Sequence, residues 1–196
     1  MAATERGRKP TLAERRERKA GVDDPAVVLE AAMRFLEPRA RSVTEVRRRL
    51  TGAGYRTDLV DGAIERLLDL GVLDDEAFAR AWVESRDRAR PRGERAIRQE
   101  LGLKGVDRTT VDLVLAERRE AVTGIPADDG ATMSPDQAAA ERLLARNARA
   151  LARVADPVRR RQRAYALLAR NGFDPEICRS AAATIVSPKT EDDDEG

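Results

Sequence analysis

The segment "LTGAGYRTDLVDGAIERL" (Leu50–Leu67) decides the fold, because it joins a helix end, a glycine turn and a new helix start. Two other segments resemble it: "LGLKGVDRTTVDLVLAE" (Leu101–Glu117) and "LLARNGFDPEICRSAAA" (Leu167–Ala183). In each, a helical run ends at a glycine, one apolar residue follows, and a second helical run begins. A glycine directly after a helix adopts the left-handed conformation without the steric cost of a Cβ atom. The pattern predicts one helix–turn–helix element used three times.

The three copies align column by column when Gly54, Gly105 and Gly172 are superimposed. Gly54 and Gly105 are 51 residues apart, and Gly105 and Gly172 are 67 residues apart. Apolar or small residues recur before and after each glycine at spacings that place them on one helix face. The columns are Val46, Ile97 and Ala164; Leu50, Leu101 and Leu168; Tyr55, Val106 and Phe173; Val60, Val111 and Cys178; and Ile64, Leu115 and Ala182.

A further helical run precedes each pair, so each copy is predicted to contain three helices. The apolar positions of these runs are Val28, Ala31, Ala32 and Phe35 in the first copy, Phe78, Trp82 and Val83 in the second, and Ala139, Leu143, Leu144 and Leu151 in the third. Three helices of this size bury little surface alone, whereas stacked neighbours share a core. We therefore expect an all-α protein, an elongated tandem array of three three-helix repeats. The alternative is a compact helical bundle in which the similarity is accidental.

Composition shifts along the chain predict the domain boundaries. These are a basic, disordered N-terminal arm at 1–24, repeat 1 at 25–72, repeat 2 at 73–122, a loop at 123–135, repeat 3 at 136–186 and an acidic, disordered tail at 187–196. Within the repeats, short polar side chains stand where helices are predicted to begin. The expected N-caps are Ser42 in a capping box with Glu45, Thr57, Asp74 or Asp75, Asp107, and Asp174.

The residue types present argue against catalysis, a cofactor or a metal. The chain has no His and one Cys, and Cys178 falls in an apolar column, which is typical of a buried structural thiol. The acids Asp74, Asp75 and Glu76 stand where a helix dipole favours negative charge, so capping explains them better than metal binding. No run is apolar enough to span a bilayer, no signal peptide is apparent, and a single Cys suits a reducing compartment. A cytoplasmic, non-enzymatic protein is expected.

Arginines on or near the second helix of each repeat are the best candidates for a binding surface, although the net charge is only +2. If stacking aligns them, they form a basic stripe for an acidic or polyanionic partner. The predicted stripe comprises Arg47, Arg48, Arg86, Arg88, Arg92, Arg95, Arg98, Lys104, Arg159, Arg160 and Arg163. The alternative is a solvated helix face whose arginines pair with Glu45, Glu94 and Glu100. Because aromatic residues are 3% of the chain and mostly fall in core columns, any contact with nucleic acid is expected to involve its backbone.

Three stretches resemble the RecX regulatory proteins of bacteria: "RARSVTEVRRRLTGAGY", "LLDLGVLDDEAFARAWVESRDR" and "GERAIRQELGLKGV". The most specific part is the Leu-Asp-Asp-x-x-Phe-Ala core at Leu73–Ala79, followed by Gly93 and the Ile-x-x-x-Leu-x-x-Lys-Gly-Val run at Ile97–Val106. The resemblance covers roughly residues 25–185 and is weakest in the third repeat. It implies tandem three-helix units and a non-enzymatic regulator of RecA, the recombinase that forms filaments on single-stranded DNA. The implied activity is inhibition of the ATPase, strand-exchange and co-protease activities of RecA, by binding in the filament groove, or by blocking filament extension or promoting filament disassembly.

Two other functions stay open at this stage. The protein could be a stand-alone helical DNA-binding protein or transcription regulator, since three-helix units with a glycine turn resemble helix-turn-helix modules. It could also be a helical scaffold whose arginines pair with acids on a protein partner. An elongated array favours a monomer.

Overall fold

The computed structural model describes residues 11–120 and 133–185, and these ranges contain ten helices and no strand. The helices are α1 (Leu12–Ala20), α2 (Pro25–Leu36), α3 (Val43–Ala53), α4 (Thr57–Asp69), α5 (Asp75–Ala89), α6 (Glu94–Leu103), α7 (Arg108–Glu120), α8 (Pro135–Ala152), α9 (Pro157–Arg170) and α10 (Pro175–Thr184). Helices α2 to α10 form three successive triplets, which we call repeats 1, 2 and 3. The predicted all-α tandem array is confirmed.

The described chain divides into two compact units. The first contains the described residues up to Phe78 and the turn Lys104–Val106, and the second contains Ala79–Leu103 and the residues from Asp107 onward. The core of the first unit consists of Val28, Ala32, Val46, Leu50, Tyr55, Val60, Ala63, Ile64, Leu67 and Leu73. One core cluster of the second unit consists of Ala139, Ala140, Leu144, Leu151, Ala164, Leu168, Phe173, Cys178, Ala181 and Ala182. The apolar columns of the sequence are therefore the buried positions.

The turns between the second and third helices have the predicted glycine conformation. The φ angles of Gly54, Gly105 and Gly172 are 107°, 79° and 81°, in the left-handed region. In repeats 2 and 3, the residue two positions after the glycine caps the next helix, because Asp107 accepts from the Thr110 amide and Asp174 from the Glu176 amide. The turn thus fixes both the end of one helix and the start of the next.

The same rule explains why the prediction of Thr57 as an N-cap is wrong. The position two residues after Gly54 is Arg56, which is the N-cap residue of α4 and makes no side-chain cap hydrogen bond. Thr57 is instead the first residue of that helix. The Arg56 guanidinium pairs with Asp58 and Asp23, at 2.5 Å and 2.6 Å. The other predicted caps behave as expected: Ser42 and Glu45 form a capping box, and Asp74 accepts from the Glu76 and Ala77 amides.

Within the first unit, the N-terminus of α3 is bonded to the glycine turn of repeat 2. Ser42 Oγ donates to the Lys104 carbonyl at 2.6 Å, and Thr44 Oγ1 donates to the Gly105 carbonyl at 3.2 Å. The Val43 amide donates to Asp75 Oδ1 at 2.9 Å, at the start of α5. We call this set of contacts the first joint. It satisfies a first-turn amide that has no partner inside its own helix.

A second joint, inside the second unit, repeats the pattern at the N-terminus of α6. The Gly93 amide donates to the Asn171 carbonyl at 3.0 Å, and the Glu94 amide donates to Asp136 Oδ2 at 3.0 Å. Gly93 and Glu94 align with Ser42 and Val43, and Asn171 aligns with Lys104. A Cβ atom on Gly93 would lie 2.3 Å from the Gly172 carbonyl oxygen, so two glycines allow this close approach. A similar contact therefore occurs twice, with the Ser42 hydroxyl as donor to the turn carbonyl in the first joint and the Gly93 amide in the second.

The prediction of a disordered arm at 1–24 is wrong for residues 12–20, which form α1. Thr11 and Glu14 make a capping box at its start. The sequence pattern T-x-x-E predicts such a capping box, but the high charge of the segment favoured the prediction of disorder. Lys19 Nζ lies 4.6 Å from the centroid of the Tyr55 ring. The α1 backbone also covers the turn of repeat 1, because a Cβ atom on Gly54 would lie 2.6 Å from the Arg16 carbonyl oxygen. The helix is thus held where the first repeat presents its glycine turn.

The remaining boundary predictions fall partly outside the described residues. Residues 1–10, most of the predicted loop (123–132) and the predicted tail (187–196) lie outside them. Helix α8 begins at Pro135, behind the N-cap Ser134, just inside the predicted end of that loop.

Alanine at Gly105 should destabilise the protein. The left-handed conformation costs a residue with a Cβ about 1–2 kcal/mol, and this Cβ would also lie 2.3 Å from Thr44 Oγ1. The matched control is Gly102→Ala, three residues earlier in α6, where nothing lies within 4 Å of the added Cβ. That control should gain about 0.5–1 kcal/mol of helix stability. Urea unfolding measures both changes, and equal midpoints for the two variants would contradict the joint.

Candidate basic partner-binding surface

The basic residues predicted in the first unit differ in how freely they can bind a partner. Arg47 on α3 forms an ion pair with Asp61 on α4. Its neighbour Arg48 is exposed and forms no ion pair with any residue of the described ranges. Lys104 Nζ lies 2.7 Å from Glu45 Oε1, so the predicted alternative of internal pairing with Glu45 is correct for this lysine. Arg48 is therefore the predicted residue of this unit that can accept an external anion without losing an internal partner.

The environment of Glu45 keeps this carboxyl group ionised. Burial raises its pKa, but the hydrogen bonds from Lys104 and the Ser42 amide, with the charges of Lys104 and Arg39, outweigh burial. The pKa of Glu45 consequently lies below its ordinary value of 4.5. Glu45 closes the capping box of α3 and pairs with Lys104 of the glycine turn, so its negative charge stabilises the first joint.

In the second unit, Glu100 on α6 binds two of the predicted cations. Its carboxylate accepts from Arg86 Nε at 2.6 Å and from Trp82 Nε1 at 2.8 Å, and it lies 3.6 Å from Arg92 Nε. The Arg86 guanidinium also lies over the Trp82 ring, 4.2 Å from its centroid. Arg92 in addition donates to Asn171 Oδ1 at 2.8 Å. These arginines tie α5, α6 and the glycine turn of repeat 3 together.

Arg98 repeats the interaction that Arg47 makes in the first unit. It pairs with Asp112 on α7, and Arg98 and Asp112 are each 51 residues after Arg47 and Asp61. Arg98 also pairs with Glu94 at 3.1 Å. The hydrogen bond from Arg98 lowers the pKa of Asp112. A recurrent ion pair thus joins the second and third helices of repeats 1 and 2.

The other predicted cations of the second unit divide into paired and unpaired residues. Arg88 pairs with Glu84, Arg159 lies 3.5 Å from Asp156, and Arg160 Nε donates to the Val154 carbonyl at 3.0 Å. Arg95 and Arg163 are exposed and form no ion pair within the described ranges. Of the eleven predicted residues, those without an internal ion pair or hydrogen bond are thus Arg48, Arg95 and Arg163.

Sequence reasoning missed Arg118, the buried cation of the second unit. Its side chain is 5% exposed, and it forms a bidentate pair with Asp87 on α5, at 2.8 Å and 2.9 Å. It also pairs with Asp136 on α8, the same carboxylate that accepts the Glu94 amide. Burial opposes the charged form, yet the two carboxylates outweigh it and raise the pKa of Arg118 further. The repeat alignment could have identified this residue, because Arg118 aligns with Leu67, which is buried. An arginine at a buried position requires acidic partners close to it.

The candidate reactive groups among the described residues are metal-ligating side chains and the thiol of Cys178. Within them, no group of three or more His, Cys, Asp or Glu side chains is placed to hold a metal ion. Cys178 is buried, its Sγ donates to the Phe173 carbonyl at 3.6 Å, and burial raises the pKa of its thiol. In the same ranges, every helix is too short or too polar to cross a bilayer. The arrangement suits binding through exposed cations on a helical frame.

Comparison with known proteins places the chain in a family. A family model described as RecX, first three-helix domain, matches residues 29–67, and one described as RecX, second three-helix domain, matches residues 74–115. The chain is 32% identical over 158 residues to the Regulatory protein RecX of Mycobacterium avium (strain 104), an alignment that covers 80% of this chain and 84% of that protein. The chain belongs to the RecX family. The resemblance seen in the sequence is confirmed.

Other RecX proteins are similar to this chain over different lengths. The Regulatory protein RecX of Mycobacterium sp. (strain KMS) is 41% identical over 85 residues, and there the chain spans about half of the relative, 46% of its length. The crystal structure of RecX from Lactobacillus salivarius matches with a TM-score of 0.63 at 20% identity, over 83% of this chain and 97% of that one. A second crystal structure, of regulatory protein RecX, matches with a TM-score of 0.64 at 18% identity, over 88% of this chain and 73% of that one. These structures support the RecX fold.

Removing the charge of Glu45 should change the pH dependence of stability of this RecX chain. Because the folded-state pKa of Glu45 lies below 4.5, its contribution is complete above that pH and is lost as the pH falls through the folded-state pKa. The stability gap between the wild type and Glu45→Gln should therefore be widest near neutral pH and shrink below pH 4.5. Urea midpoints at several pH values measure the gap, and a gap that widens on acidification would contradict the assignment.

Replacing Arg118 should cost much more stability than replacing its neighbour. Arg118→Met removes the buried cation from two carboxylates that are 26% and 15% exposed, of which Asp87 keeps only Arg142 at 3.9 Å, and breaking a buried pair in this way costs about 3–5 kcal/mol. Arg119→Met is the matched control, because that side chain is 58% exposed and exposed pairs contribute about 0–1 kcal/mol. Thermal or urea unfolding compares the variants. Equal losses of stability would show that Arg118 does not hold the second joint.

Proposed function

We propose that this RecX chain regulates RecA, binding the filament that RecA forms on single-stranded DNA and inhibiting its ATPase, strand-exchange and co-protease activities. The observation that carries the proposal is the alignment with proteins named Regulatory protein RecX, which reaches 84% of the Mycobacterium avium protein. The filament is a cytoplasmic partner, so the protein would act in that compartment, as a monomer and without a cofactor.

The fold supports this function physically. A similar joint occurs once in each unit, and the chain carries three similar three-helix modules along its sequence. A filament presents many copies of one surface. Weak binding of successive modules to successive protomers would add through effective concentration, without any single strong site. The protein would therefore bind an assembled filament better than a free RecA protomer.

The charge assignments indicate which cations would contact the filament. Arg47, Arg86, Arg98 and Lys104 already bind internal carboxylates. Using them for a partner would break ion pairs that stabilise the fold. Arg48, Arg95 and Arg163 are exposed and unpaired within the described ranges, so they would bind an acidic or phosphate group at no such cost. We propose these three as the principal residues of the basic surface.

Reversing the three unpaired cations should weaken inhibition of RecA. In the Arg48→Glu, Arg95→Glu, Arg163→Glu variant, removing three exposed ionic interactions of about 0.5–1 kcal/mol each should raise the half-inhibitory concentration at least tenfold. RecA ATP hydrolysis on single-stranded DNA is followed while the protein is added below the RecA concentration. The control variant Arg66→Glu, Arg149→Glu, Arg170→Glu carries the same charge change at exposed positions that are unpaired within the described ranges.

The outcomes separate the basic surface from the function. The wild type could inhibit RecA while both triple variants inhibit it equally less. That result would show that net charge, and not these three positions, drives binding. Absence of inhibition by the wild type at equal concentration would reject RecA regulation. If that wild type instead bound duplex DNA with a sequence preference, the stand-alone DNA-binding function would take its place.

A further inference from the structure

Repeat 3 contains a groove that the proposed basic surface does not include. It lies in the second unit between α9 and α10 and has a volume of about 430 Å³. Its described lining residues are Arg161, Gln162, Tyr165 and Arg179. Arg161 and Tyr165 on α9 are four positions apart, which places them on one face of the helix. Two arginines and one aromatic ring therefore share a concave surface.

The repeat alignment shows what is unusual about this groove. The positions of Arg98 and Asp112 in repeat 2, shifted by 67 residues, are those of Tyr165 and Arg179 in repeat 3. Repeats 1 and 2 have an ion pair here, Arg47 with Asp61 and Arg98 with Asp112. Repeat 3 has an aromatic ring in place of the cation and a cation in place of the acid. The substitution removes the carboxylate that neutralises this helix pair and leaves net positive charge.

Within the described ranges, no acid compensates the two arginines. Helix α9 contains no Asp or Glu, and the acid of α10 is Glu176, which forms no ion pair with Arg179. Arg161 and Arg179 are exposed and have no ion pair with a described residue. Tyr165 is half-buried and packs against the core of the second unit, so its ring is held in place at the groove. The groove thus offers a fixed ring next to two uncompensated guanidinium groups.

We infer that this groove binds single-stranded nucleic acid, with phosphates on Arg161 and Arg179 and one base stacked on Tyr165. Guanidinium groups fit phosphate oxygens in a bidentate manner, and an unstacked base covers an aromatic face whatever its sequence. An acidic protein segment would satisfy the arginines but would leave the ring without a matching partner. The site deepens the proposed function, because a RecA filament is built on single-stranded DNA, yet it can be tested without RecA.

The test is fluorescence anisotropy of a labelled oligo-dT titrated with the full chain at several KCl concentrations. The Arg161→Glu, Arg179→Glu variant should bind at least tenfold more weakly, and the slope of log K against log salt should fall by about 1.4, or about 0.7 for each phosphate that the protein no longer binds. The control, Arg149→Glu, Arg170→Glu, has the same charge change and includes the face of α9 opposite Arg161. It should retain most of the affinity.

Variants of Tyr165 separate stacking from charge. Tyr165→Phe keeps the ring and should bind as the wild type does, whereas Tyr165→Leu should lose at least fivefold in affinity. Circular dichroism confirms that each variant is folded, and the arginine pair tests the site independently should Tyr165→Leu unfold.

Three results would overturn the inference: equal weakening in the two charge variants, no oligo-dT binding by the wild type, or retained oligo-dT binding by the groove variant while its binding to a labelled poly-glutamate peptide is abolished. The last result would assign the groove to an acidic protein segment. RecA regulation is judged separately, from ATP hydrolysis. Inhibition without oligo-dT binding rejects the groove alone, and oligo-dT binding through the groove without inhibition rejects RecA regulation alone.

Discussion

The structure depends on one contact, in which the N-terminus of a repeat's second helix meets the left-handed glycine turn of the next repeat. First-turn amides of a helix have no intrahelical acceptor, and here they find one outside their own repeat. The Val43 amide donates to Asp75, and the Glu94 amide to Asp136. The turn must be glycine, because a Cβ at Gly105 or Gly172 would lie 2.3 Å or 2.5 Å from the helix it meets. A backbone constraint thus requires glycine at both of these turns.

This constraint also decides which charges are available for function. Carboxylates at the joints and between the helices of a repeat form ion pairs with most of the predicted cations. Arg118 shows the extreme case, a buried guanidinium held by Asp87 and Asp136 at the second joint. Within the described ranges, the residues left unpaired are exposed arginines, Arg48, Arg95 and Arg163 among them, and two arginines of the repeat 3 groove, where Arg179 stands at the position of the acid in repeats 1 and 2. The proposed binding residues of this RecX chain are therefore arginines that form no ion pair inside the described fold.

The sequence predicted those features whose cause is local. A left-handed glycine and an aspartate cap depend on neighbouring residues, so Gly54, Gly105, Asp107 and Asp174 were readable from the chain. The basic surface could be predicted only in part, because the ion pairs of its arginines depend on acids from other helices. Asp61 is 14 residues from Arg47, and Asp87 is 31 residues from Arg118. Helix α1 was missed because its segment is highly charged, although it carries the local Thr11–Glu14 capping box; its contacts with Tyr55 and the Gly54 turn lie far along the sequence.

The most direct test of this account is amide hydrogen exchange, measured residue by residue by NMR on the native protein. First-turn amides normally exchange quickly, since they have no helical acceptor. If the joints exist, the amides of Val43, Gly93 and Glu94 should be protected, while that of Thr57, in the first turn of α4, whose N-cap Arg56 makes no side-chain cap hydrogen bond, should exchange rapidly. If the amides of Val43 and Glu94 exchanged as fast as that of Thr57, the result would contradict the two joints.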